Sequence, residues 1–196
     1  MDKTPHISDS ELVQMVLVDQ ENFGLIIEKF EKKLLGYLAF FMGVRRAQAE
    51  DVFQETMIKV YRSLNGYNPK LSLSSWIFRI AHNEAVNFLK KHSNQVAISL
   101  EEEDEEGSAL IKILSSDENV VERVADAQTA EQVGKVLSMM KADFREILIL
   151  RFVKDLDYLE IADILKKPIG SIGVTIQRAK DEFKKIAIKN NLISYE

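Results

Sequence analysis

"EIADILKKPIGSIGVTIQRAKDEFKK", residues 160–185, decides how the rest of the chain is read. Its apolar residues step by three and four. The period breaks at Lys166-Lys167-Pro168 and resumes at Ile169, so the stretch reads as two helices joined by a tight turn. Asp157-Tyr158-Leu159-Glu160 has the spacing of a capping box and opens the first helix. Ile172, Ile176, Ala179, Phe183 and Ile186 form the buried stripe of the second. A short helix, a turn of three or four residues and a longer helix are the outline of a DNA-reading helix-turn-helix. Ala162 is small enough to let the two helices cross closely, and Asp157, Glu160 and Asp163 are expected to point away from phosphates. Arg178, Lys180, Lys184 and Lys185 come late, where backbone contacts sit. The leading turns, Gly170 to Gln177, carry no charge at all.

Working outward, nearly every periodic segment is helical. Asp143 is expected to cap "FREILILRFV", and Ala130, Val133, Leu137 and Met140 share one face of a preceding helix. Near the N-terminus, Ser8 to Glu11 has capping-box spacing and opens a helix ending near Val18. Phe23 to Phe41 give a long amphipathic helix that Gly43 closes. A third helix runs from about Arg46 to Leu64, with Phe53, Met57, Val60 and Leu64 inward. "NGYNP" (65–69) is a turn, and Ser74 or Ser75 is expected to cap a fourth helix to about Lys91 with Ile77, Ala81, Ala85 and Phe88 inward. The fold class is all-α: two small helical domains, residues 1–93 and 127–196, joined by an acidic flexible linker, 94–126.

Charge supports that division. The chain has 196 residues and a net charge of −5. Residues 1–92 hold 12 basic and 11 acidic side chains, 93–126 hold 2 and 10, and 127–196 hold 12 and 10. The acidity belongs to the connector, where Glu101–Glu106 is a like-charge block expected to stay extended. Two slightly basic helical units remain, which is compatible with nucleic acid. The chain has no cysteine, so it has no disulfide and no thiolate metal site. No signal peptide and no apolar run of membrane-spanning length are seen, so a cytoplasmic location without direct membrane insertion is expected. His6, His82 and His92 lack metal-ligand spacing, and His82 and Glu84 point to different sides of their helix. There is no Gly-rich phosphate loop and no nucleophile–base pair, so no catalytic residue, no metal and no cofactor is expected.

Two motifs then carry a resemblance. "FREILILRFVKDLDYLEIADILKKPIGSIGVTIQRAKDEFKK" resembles the C-terminal promoter-reading region of bacterial sigma factors, above all their extracytoplasmic-function group. "QAEDVFQETMIKVYRSLNGYNPKLSLSSWIFRIAHNEAVNFLKK" resembles that group's other domain, which grips RNA polymerase and opens the promoter −10 element. The two occur in the right order at the right separation. The resemblance implies an alternative sigma factor whose partners are core RNA polymerase (its β′ clamp helices and β flap), promoter DNA and an anti-sigma factor. It implies that Asp51, Gln54 and Glu55 meet the polymerase, although acids early in a helix also suit its dipole and stay solvated. For the −10 element it implies Tyr67, Asn68 and Lys70 in the loop and Arg79, Asn83 and Asn87 on the fourth helix, where cations hold phosphates and amides read base edges. Trp76, at the start of that helix, is as well suited to the core.

For the −35 element the candidates are Ser171, Gly173, Gln177 and Arg178. The group commonly has a basic residue where this chain has Gly173, and often another at Thr175. A reader that relies on helix-end contacts, close fit and DNA shape is therefore expected. The acidic linker is expected either to thread the polymerase's nucleic-acid channels or to serve as a spacer. Two other readings stay open: a polymerase-independent helix-turn-helix regulator, and a sigma-like protein that reads −35 DNA poorly.

Overall fold

The computed structural model describes residues 7–44, 46–69, 71–92 and 127–192. The described residues contain helices, turns and no strand. In the N-terminal half, α1 (Asp9–Val18) begins with the full capping box of Ser8 and Glu11. A 3-10 turn (Gln20–Asn22) leads into α2 (Phe23–Met42). Gly43 ends α2 in the left-handed conformation at φ 63°, which costs a glycine nothing. Next come α3 (Arg46–Ser63) and α4 (Leu73–Lys91). The cap of α4 is Ser72, whose hydroxyl accepts the Ser75 N–H, so the helix starts earlier than Ser74 or Ser75 would allow.

The C-terminal half opens with α5 (Ala127–Ser138), of which Ala130 is described in backbone only. Then α6 (Ala142–Leu148) runs on into a π-helical turn (Ile149–Val153). Lys141 holds the cap position of α6 without a side-chain bond, and Asp143 sits in the first turn, where it favours the helix dipole. The helix-turn-helix is α7 (Tyr158–Leu165) and α8 (Ile169–Lys189). Asp157 and Glu160 make the expected capping box, and Lys166 turns the chain in the left-handed conformation.

Two cores form as the patterns require. One gathers Leu34, Leu38, Val60, Leu73 and Ile77, and the other Ile147, Leu150, Ile161, Ile164 and Ile172. These cores are continuous: α2 packs on α6, and α4 packs on α7, so one apolar cluster runs through both halves. The two helical units expected from the sequence are present, and they pack against each other. The connector itself lies outside the described residues.

Candidate polymerase and promoter-DNA interfaces

On α3 the buried stripe Ala49, Val52, Phe53, Thr56, Met57 and Val60 turns the other side outward. Asp51, Gln54 and Glu55 stand exposed there. Lys59 pairs with Glu84 of α4 at 2.6 Å and ties the two helices together. Beside this pair an open hollow of about 280 Å³ is lined by Asp51, Glu55, Glu84, Asn87 and Lys91. The acidic face and the end of the amide face thus meet at one concavity, although they come from separate stretches of sequence.

On α4, Asn83 and Asn87 are exposed at a spacing of four, and Lys90 and Lys91 follow at the helix end. Asn68 is exposed in the preceding loop, and Lys70 lies outside the described residues. Tyr67 is buried. Its hydroxyl donates to the Leu71 carbonyl at 2.6 Å, and its ring packs on Trp76, itself buried, at 5.4 Å. Burial, with Asp9 nearby, pushes the Tyr67 hydroxyl above its usual range. Both rings are spent on the core in this arrangement, so neither offers a free stacking face.

Arg79, the leading cation of the α4 face, is already engaged. Its Nη1 lies 2.9 and 2.8 Å from the two carboxylate oxygens of Asp163 on α7. Ser75, one turn earlier, donates to Glu160 at 2.8 Å. The acidic edge of α7, expected to point away from phosphates, therefore faces α4. Burial raises the Asp163 carboxyl, but Lys166 and Arg79 outweigh it and hold the group below the ordinary aspartate range.

Deeper in the same seam sits a cluster that sequence reading missed. Glu146 of α6 is buried, and its Oε1 accepts the Tyr37 hydroxyl of α2 at 2.5 Å. The His82 Nδ1 of α4 lies 2.6 Å from the same oxygen. Burial, reinforced by the Glu146 charge, drives the Tyr37 hydroxyl well above its usual range. Next to it, the buried Arg145 guanidinium donates to the Phe41 carbonyl at 2.8 Å and the Ser138 carbonyl at 3.3 Å, while its Nε has no partner. Burial lowers its pKa despite the neighbouring Glu146. A cation at the carboxyl end of α2 satisfies a free carbonyl and complements the helix dipole. Gly43 makes room: a Cβ there would lie 3.3 Å from the Arg145 Nη2. The signal was an Arg-Glu pair inside "FREILIL", a run so apolar that all sides of the helix must be buried.

Helix α8 presents an exposed stripe of Gly170, Val174, Gln177 and Arg178, with Ser171 half-buried beside it. Sequence reading passed over Val174, which is 55% exposed. Gly173 is turned partly aside: a Cβ there would meet the Tyr158 ring at 3.4 Å. Ser171 donates its hydroxyl to the Pro168 carbonyl, and Gln177 its amide to Asp181. Around this stripe Ile169, Tyr158, Leu159 and Phe152 are also exposed. Next to it, Val133, Leu137, Leu148, Phe152, Val153 and Phe183 line a largely apolar groove of about 550 Å³, whose walls also include Gln177, Lys180, Asp181 and Lys184.

Among the described residues no three His, Cys, Asp or Glu side chains are grouped to hold a metal, and no helix is long and apolar enough to cross a membrane. Two family models match the chain: sigma-70 region 2 over residues 26–95, and sigma-70 region 4 over residues 130–182. The RNA polymerase sigma-H factor of Pseudomonas aeruginosa is 31% identical over 183 residues, covering 90% of this chain and 92% of that protein. The ECF RNA polymerase sigma-E factor of Escherichia coli K12 is 28% identical, covering 89% and 92%. Among solved structures, CnrH in complex with the cytosolic domain of CnrY superposes with a TM-score of 0.63 at 17% identity, over 92% of this chain and 97% of that one. The sigma factor RpoE of Bartonella quintana, solved with the anti-sigma factor NepR, superposes at 0.61 with 22% identity, over 85% and 96%. Two capped helical units in this order, matched along nearly the whole chain, have one reading: the chain belongs to the sigma-70 family of RNA polymerase sigma factors, in its extracytoplasmic-function group.

Proposed function

We propose that this chain acts in the cytoplasm as an alternative sigma factor. It binds core RNA polymerase and directs promoter-specific initiation by recognising −10 and −35 DNA, and it does no chemistry of its own. The observation that carries this reading is end-to-end similarity to sigma factors in a chain whose two helical units each present a surface of the required kind. Residues 1–93 serve the polymerase and the −10 element, and residues 127–196 serve the −35 element. On α3, Asp51, Gln54 and Glu55 form an acidic face suited to basic clamp helices of β′. On α4, Arg79, Asn83 and Asn87 form the single-strand path, with Asn68 in the preceding loop; Lys70, next to that loop in sequence, is a further candidate. Tyr67 supports that path from within the core. The largely apolar groove next to α8 fits a helix of the β flap.

On α8, Ser171, Gln177 and Arg178 face the −35 groove, and Val174 joins them. An uncharged leading turn reads DNA by contact: a valine methyl meets the C5-methyl of thymine, and the glycine next to it lets Tyr158 fill the flank. Gly173 itself contributes space more than contact. Weak affinity in each reader suffices, because the polymerase holds both at once and makes their binding bivalent. The solved complexes of CnrH with CnrY and of RpoE with NepR support an anti-sigma factor as a further partner.

The test is run-off transcription on genomic fragments with core polymerase, with and without this chain. Promoter-specific transcripts that require the chain are expected. The Asp51→Arg variant is expected to stay folded by circular dichroism and to bind core roughly tenfold more weakly, as reversing a charge at a complementary interface does. Sequence-specific DNA binding and repression by the chain alone, without effect on core polymerase, would favour the free-standing regulator instead.

A further inference from the structure

The leading turns of α8 lack charge, and the hydrogen bonds that their polar groups make inside the chain have a direction. A serine or threonine hydroxyl has one proton to give. Ser171 gives its proton to the Pro168 carbonyl at 2.7 Å, and Thr175 gives its proton to the Ser171 carbonyl at 2.8 Å. Gln177 directs its amide nitrogen to a carboxylate oxygen of Asp181, one turn later, at 3.0 Å. A carboxylate only accepts, so this partner decides which end of the carboxamide is which. The reversed carboxamide would set oxygen against oxygen. Gln177 and Asp181 are both exposed, as are Val174 and Arg178. Water competes for such a bond on a free helix. A docked DNA groove excludes that water and strengthens the bond.

We infer that Asp181 is a positioning residue: it holds Gln177 with its side-chain oxygen outward, so that α8 reads an exocyclic amino group, on adenine or cytosine, in the major groove of the −35 element. The inference rests on the sigma-factor reading above and narrows the DNA that it admits. In the major groove adenine N6 and cytosine N4 are donors, while guanine O6 and thymine O4 are acceptors. An outward Oε1 is matched by the first two and repelled by the other two. Phosphate oxygens are acceptors as well, so this oxygen gains nothing on the DNA backbone. Ser171 adds to the pattern: with its proton spent on Pro168, its hydroxyl oxygen offers only lone pairs. The second amide proton of Gln177 is left for adenine N7, which lies beside the amino group. Val174 stands three residues earlier on the same face, and a single A·T pair presents both an amino group and a thymine methyl. An acid on a DNA-facing helix repels phosphate. Fixing Gln177 gives Asp181 a role there that its charge alone does not.

The test uses full-length chain assembled with core polymerase on a promoter found by run-off. Gln177→Ala first marks the step that Gln177 contacts, as the −35 position where base preference flattens. At that step wild type is expected to bind duplexes with adenine or cytosine on the contacted strand more tightly than those with guanine or thymine. Deoxynebularine or deoxyzebularine, which lack only the amino group of adenine or cytosine, should weaken binding about tenfold. In Asp181→Asn the new amide accepts from Nε2 or donates to Oε1 equally well, so Gln177 turns either way, and the amino-over-keto ratio should fall several-fold. Asp181→Glu, which keeps the carboxylate, should restore most of it. Loss of an acid near DNA also raises affinity for every sequence, and the ratio within each variant cancels that effect. An Asp181→Asn chain that binds all four duplexes more tightly by one factor, with the ratio unchanged, overturns the inference. A wild-type preference for guanine or thymine, or indifference to the missing amino group, does so too. Wild type that yields no promoter-specific transcript with core polymerase would instead overturn the sigma-factor reading.

Discussion

The two helices proposed to face DNA are built by opposite means. On α4 the candidate readers are amides and a guanidinium, and the guanidinium is held by a carboxylate from elsewhere in the chain. On α8 the face is open, and its first charged group is Arg178, reached only after Val174 and Gln177. A charged reader can be switched by a competing charge. A reader built on shape and methyl contact cannot, because nothing in the same chain imitates a thymine. The difference leaves the first helix open to competition by charge and the second dependent on shape and methyl contact.

The largest expected effect falls on α4. Arg79→Ala in assembled holoenzyme should lower the yield of open complex roughly tenfold or more, the loss of a charge-assisted phosphate contact in a partly dry site. Wild-type yields of open complex would break the contrast from one side. On α8 the effect should be smaller and tied to sequence. Val174→Ala, or replacing the contacted thymine by deoxyuridine, should each weaken −35 binding about three- to fivefold, near the worth of one buried methyl. The two changes together should cost little more than either alone. A full additive loss would show that the side chain and the methyl do not meet. The smallest effect is on stability. Gly173→Ala adds a methyl at ordinary contact distance from Tyr158 and removes a glycine from a helix interior. It should raise stability by up to about 1 kcal/mol in chemical denaturation while leaving −35 preference unchanged. Altered preference in that variant would return Gly173 to the contact surface.

Much of the architecture was legible because its rules are local. Ser8 with Glu11, and Asp157 with Glu160, are three residues apart, and both pairs form the boxes that their spacing announces. Gly43 ends α2 because a left-handed turn there favours glycine. Caps were misplaced where several hydroxyls or acids compete within a few residues. Ser72 wins over Ser74 and Ser75, and Ser75 is instead drawn to Glu160, which is 85 residues away in sequence. The seam was not legible for the same reason. Tyr37 and Glu146 are separated by 109 residues, and no period links them. Arg145 and Glu146 did mark themselves as charges inside an apolar helix, which says that each has a partner without saying which one. On α8 the exposed stripe follows from helical geometry alone and includes Val174. It was missed because a search for polar base contacts discounts a valine.

On the proposed function, two weak DNA readers become a promoter-specific pair only when core polymerase carries them. Permanganate footprinting of a promoter found by run-off measures this directly, since it marks thymines that have left the duplex. Reactive thymines are expected at the −10 element with core polymerase and this chain together, and none with either alone. Reactive thymines at that element with core polymerase alone, or an intact duplex with both proteins present, would contradict it.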